Sequence, residues 1–90
     1  MARNKTARNI IGKQLRRIRS ERNLSQPGLA VLLQKRGLDF GRDIIARIES
    51  GVRWVGDFEL MLIADALDVP VSDLLPSRRD WERVQKDFKR

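Results

Sequence analysis

Apolar residues recur every three to four positions along nearly the whole chain, and nowhere do they alternate in the two-residue rhythm of a strand. Ile11, Leu15 and Ile18 stand at i, i+4 and i+7, which places them on one helix face over residues 9–22. Lys13, Arg16, Arg17, Arg19 and Arg22 occupy the other faces, and Asn23 is the expected stop. Ser25 is a favoured N-cap, and Pro27 is tolerated in a first turn because its missing N–H has no partner there anyway. A second helix over 26–36 follows, with Leu29, Ala30, Leu32 and Leu33 inward and Gly37 ending it. After a turn with buried apolar anchors, a third helix spans 42–50, with Ile45 and Ile48 inward and Asp39 or Gly41 as its cap. Asp57 is read as the cap of a fourth helix over 58–68, the most apolar of the set, broken at Val69-Pro70. Residues 71–75 fit a short fifth helix. Trp81, Val84 and Phe88, at i, i+3 and i+7, outline a further amphipathic segment. The fold class is therefore all-α, a compact five-helix bundle with an extra C-terminal helix.

With 90 residues there is one domain. Residues 1–8 read as a flexible basic arm, 9–76 as the folded body and 77–90 as a basic amphipathic segment. The chain has no Cys, His or Tyr. That removes disulfides, thiolate metal sites, the usual near-neutral general base and the commonest metal ligand. No catalytic residue, metal site or cofactor is expected, and the chain is not read as an enzyme. No apolar run approaches a membrane span, so the expected setting is cytoplasmic.

The net charge of +7 is unevenly placed. Residues 1–23 hold eight basic and one acidic side chain, a net of +7, whereas residues 57–75 hold five acidic and none basic, a net of −5. Residues 76–90 return to a net of +3, with six basic and three acidic. Such asymmetry gives the molecule a positive side suited to a phosphate backbone or an anionic surface.

Three stretches then matter together: Leu24-Ser25-Gln26 with Leu29-Ala30, Ile45-Ala46-Arg47-Ile48-Glu49-Ser50-Gly51, and Leu60, Ile63-Ala64, Leu67 and Val69. As a set over residues 9–75 they resemble the lambda-repressor-like, XRE-type helix-turn-helix DNA-binding family. The resemblance implies five helices, of which the third lies in the major groove of double-stranded DNA. Two features depart from the family pattern. Ala30 to Glu49 is 19 positions, about five more than the family spacing, which lengthens the turn around 34–40. Pro27-Gly28 also replaces the acidic pair that usually follows Gln26.

The resemblance assigns Arg42, Asp43, Ile44 and Arg47 to base contact. Arg can pair bidentately with guanine, and Asp can accept from cytosine N4. Asp43 has a second reading as a helix-dipole residue, and Ile44 a second reading as packing against the enlarged turn. Gln26, Ser50 and Arg53 map to phosphate contacts, with Gln26 also bracing the third helix. Arg19 and Glu49 map to a structural ion pair between the first and third helices. Trp81, Val84 and Phe88 either cap the core or form a dimer or partner surface. The resulting expectation is a nucleoid-associated, dimeric transcriptional regulator, most simply a repressor. A protein-interaction adaptor, or an antitoxin-like partner-binding protein using Trp54, Trp81 and Phe88, is the alternative.

Overall fold

The computed structural model describes residues 7–87. Most of the expected arm, and Phe88, lie outside them. Among the described residues every regular element is helical: α1 (Gly12–Glu21), α2 (Gln26–Lys35), α3 (Arg42–Glu49), α4 (Asp57–Leu67), a 3₁₀ turn (Val71–Leu74), a second 3₁₀ turn (Arg78–Asp80) and α5 (Trp81–Asp87).

Each start has a local cause. Asn9 Oδ1 accepts from the N–H groups of Ile11 and Gly12 at 3.0 and 2.9 Å, so α1 begins three residues later than the apolar pattern alone suggests. Ser25 Oγ accepts from the Gly28 N–H at 3.0 Å and caps α2 as expected. Gly41, rather than Asp39, is the extended residue before α3. The cap of α4 is Gly56 and not Asp57, which is the first helical residue. Glu59 Oε1 accepts the Gly56 N–H at 3.0 Å, half of a capping box.

The four long helices end alike. Asn23, Gly37, Gly51 and Asp68 all take left-handed φ values, between 58° and 84°. After each, an N–H returns to a carbonyl five residues back: Leu24 to Arg19, Leu38 to Leu33, Val52 to Arg47 and Val69 to Ala64. This turn satisfies carbonyls the helix end would leave open. Proline at 70 was the visible breaker of α4, but Asp68 is the residue that turns the chain.

The core is one cluster of aliphatic side chains plus Phe40. Leu15, Leu29, Leu33, Ile45, Ile48, Ile63, Leu67 and Leu74 are fully buried, each stabilising by about 1.5–3 kcal/mol. Helix α3 packs on both α1 and α2, α4 packs on α2, and the first 3₁₀ turn closes the floor against α1 and α4. The fifth core helix is thus a single 3₁₀ turn, held by buried Leu74. A cleft lined by Asn9, Lys13, Ser50, Pro76, Arg83 and Val84 separates α5 from the entrance of α1 and the end of α3.

Candidate nucleic-acid interface

Helix α3 turns Ile45 and Ile48 into the core, at 1% and 0% exposure. Helical geometry then sends Asp43, Ala46, Arg47 and Ser50 to the opposite side as one row. Asp43, Arg47 and Ser50 are exposed, and Ala46 is half-buried. Arg42 is exposed at the helix start. Neither Arg42 nor Arg47 enters an ion pair among the described residues. Ile44 is half-buried and packs against the core, which takes part of its side chain. The Ser50 hydroxyl donates to the Arg47 carbonyl at 3.2 Å, which leaves its oxygen lone pairs outward.

Glu49, at the inner edge of α3, joins three segments. Its two oxygens accept from Arg19 Nε at 2.6 Å and Nη2 at 3.1 Å, a bidentate pair. Gln26 Nε2 also donates to it at 3.1 Å, so the first residue of α2 braces α3 directly. Arg19 Nη1 reaches on to the Leu24 carbonyl at 2.7 Å, at the mouth of the turn before α2. The two charged side chains are 13% and 5% exposed, and the Glu49 hydrogen bonds push the Arg19 pKa up from its ordinary value. Arg19 therefore stays charged at any working pH.

A second brace holds the other end. Arg53 stacks 4.5 Å from the Phe40 ring centre. Its Nη1 donates to the Trp54 carbonyl at 2.8 Å and to Glu59 Oε1 at 3.1 Å. One side chain thus links the turn before α3, the loop after it and the start of α4. The phosphate role expected of Arg53 meets a guanidinium with three internal partners. Burial, the largest influence on the Glu59 carboxyl, would raise its pKa. Hydrogen bonds from Arg53 and the Gly56 N–H, with the charge of Arg53, outweigh it and hold the carboxyl below its ordinary range.

Asn9 is the site's third fastening, and motif reading passed over it. Its Nδ2 donates to the carbonyls of Ile48 and Arg53 at 3.1 and 2.9 Å, while its oxygen caps α1. The Arg8 N–H donates to the Gly51 carbonyl at 2.8 Å. Arg8 is thereby held beside the end of α3. The signal was present in the sequence, since Asn just ahead of an apolar-periodic run is a cap pattern. Gly12 was likewise legible as an unexplained glycine inside a helix. A Cβ there would stand 2.6 and 2.8 Å from the Ile48 and Glu49 carbonyl oxygens, so α1 and α3 touch backbone to backbone.

The C-terminal residues divide. Trp81 is 44% exposed, while Val84 is half-buried at the cleft against α1 and α3.

No family model and no curated protein matches the chain. Solved structures do. The restriction-modification controller protein C.AhdI from Aeromonas hydrophila is 34% identical, with 72% of this chain and 87% of that chain covered and a TM-score of 0.63. The DNA-binding domain of BldD is 31% identical, with 78% and 94% covered and a TM-score of 0.65. The chain belongs to the lambda-repressor-like, XRE-type helix-turn-helix family. In this XRE-type domain α2 and α3 form the helix-turn-helix, joined by the lengthened turn. A hypothetical transcription factor, NHTF from Neisseria, shares the fold over 93% of this chain and 97% of its own at 20% identity, with a TM-score of 0.67. No helix of the XRE-type domain is long and apolar enough to cross a membrane, among the described residues.

Proposed function

We propose that this chain is a sequence-specific transcriptional regulator that binds double-stranded DNA as a homodimer, with α3 in the major groove and repression as its effect. The observation that carries the reading is the outward row of α3, charged and open on a helix fastened at both ends. A rod held by Asn9, Arg19, Gln26 and Arg53 presents its side chains in one geometry. That supports readout of base edges rather than loose attraction to phosphates. Similarity to a controller protein and to a DNA-binding domain supports the same reading.

Arg42 and Arg47 pair with base acceptors, and Asp43 with a cytosine amino group. The exposed part of Ile44 meets a thymine methyl. Gln26 and Ser50 touch phosphates beside the C-terminal end of α3. Arg53 serves chiefly as the clamp of the following loop, and the loop's backbone meets the phosphate. The protein works in the cytoplasm, on the nucleoid.

Selection of bound duplexes from a random pool tests the proposal. A defined, two-fold-symmetric site is expected to emerge. Binding that is blind to sequence and erased by moderate salt would instead point to an adaptor that uses the fold for protein contacts.

A further inference from the structure

The cleft between α5 and the body has a volume of about 220 Å³, room for roughly seven waters at ~30 Å³ each. Ile10, Pro76 and Val84, all half-buried, give it apolar walls, and buried Gly12 adds backbone without a side chain. Lys13 of α1 and Arg83 of α5 line it from two different elements. Neither enters an ion pair among the described residues. Two acids also line the cleft. Glu49 is already matched by Arg19 and Gln26, and Asp80 accepts the Ser77 hydroxyl at 3.0 Å. The cleft therefore sets two unmatched cations against one carboxylate, beside an apolar surface. Among the described residues no hydrogen bond or ion pair joins α5 to α1 or α3, so nothing polar already spans it.

We propose that this cleft binds a small organic acid, a carboxylate on a compact hydrocarbon or single-ring body, and that the bound acid antagonises DNA. The carboxylate bridges Lys13 and Arg83, and the body lies on Ile10, Pro76 and Val84. The half-buried Gln14 amide and the Ser50 hydroxyl offer further hydrogen bonds. The volume falls below the ~300 Å³ at which drug-sized ligands begin to fit, which limits the body to a few carbons or one ring. A neutral ligand would leave both cations unmatched. Free phosphate would make no use of the apolar walls, and its second charge would meet Asp80. The site stands without the DNA-binding reading above, and only the antagonism rests on it. Ser50, a proposed phosphate contact, lines the same cleft, as does Gly51, whose carbonyl holds the Arg8 N–H. An acid held there cancels positive charge beside the place a phosphate takes. Bound acid therefore weakens affinity for the duplex, and the duplex weakens affinity for the acid by the same factor.

Benzoate and hexanoate test the site, with benzamide as the neutral control and acetate as the control without a body. In nitrogen–proton correlation spectra of the full chain, both acids are expected to shift the Gly12, Ser50, Gly51 and Val84 amides saturably and to leave α2 unmoved. Benzamide and acetate are expected to bind at least about fivefold more weakly, the most an exposed ion pair usually gives. Lys13→Gln and Arg83→Gln should each weaken benzoate by about three- to fivefold at unchanged helical circular dichroism, while Arg83→Lys retains binding. Saturating benzoate is expected to lower affinity for the selected duplex by about two- to fivefold beyond an equal concentration of chloride. No saturable shift with either acid, equal binding of benzamide, or shifts spread over every basic residue overturns the site. Benzoate binding with unchanged duplex affinity overturns the antagonism. The two readings fail separately: a chain that binds both acids but selects no duplex keeps the site and sinks the DNA reading with the antagonism. A chain that selects a duplex and ignores both acids does the reverse.

Discussion

Glu49 shows why a residue's type and its position in space carry different information. An acid at the end of a helix, where the macrodipole disfavours it, is locally a poor choice. It is retained here with Arg19 and Gln26 bonded to its two oxygens. Arg42 and Arg47 are the opposite case, charged and without an ion-pair partner among the described residues. Arg47→Ala is therefore expected to leave thermal stability within about 0.5 kcal/mol of wild type, as surface substitutions usually do. Its discrimination between the selected site and a single-base variant is expected to fall by about 1–3 kcal/mol. Competition binding on the two duplexes, beside a melting curve, reads both. Equal loss on every duplex would make Arg47 a phosphate contact.

At the scale of elements, the recognition helix is set by what crosses it. Gly12 lets α1 approach the last turn of α3 without a side chain between them, and Gly12→Ala would force a methyl against two backbone oxygens. A cost of about 1–3 kcal/mol is expected in urea unfolding, the usual range for overpacking. Gly28→Ala is the milder comparison, since its added Cβ meets a side-chain oxygen, that of Ser25, at 3.2 Å rather than backbone at 2.6 Å. The Arg53–Glu59 brace predicts a pH effect with a definite sign. The Glu59 pKa is depressed on folding, so its contribution is complete above the unfolded value of ~4.3 and is lost as pH falls through the folded value. Glu59→Gln should thus lower the melting temperature at pH 7, and the gap to wild type should close as pH drops below ~4. A gap that persists unchanged at pH 3 would show that the brace works by packing alone.

For the whole molecule, charge is segregated along the chain. The basic first 23 residues hold eight positive side chains and α4 with its following turn holds none, against five acids in residues 57–75. Association with DNA is expected to weaken steeply with salt, with a log–log slope near −0.9 per phosphate neutralised. Arg42→Ala leaves that slope unchanged if Arg42 reads a base, and reduces it by about one unit if Arg42 holds a phosphate. Titrations at several salt concentrations decide between the two.

The helices and their order were legible in the one-dimensional pattern, because a 3.6-residue repeat and left-handed stop residues are local properties. Asn23, Gly37 and Gly51 end helices where they were expected to. The family motif likewise named Arg19, Gln26 and Glu49, whose contact spans 23 to 30 residues of chain. Only the tertiary structure could decide what Gly12 is for, that Asn9 ties two carbonyls 39 and 44 residues away, and that Arg53 spends its guanidinium on Phe40 and Glu59. The tertiary structure alone also showed that Phe58 and Met61, on the most apolar helix, stay exposed. Periodicity reports which residues share a face. Which face meets a neighbour depends on how far apart the packed helices stand, and that distance is set by contacts between residues remote in sequence.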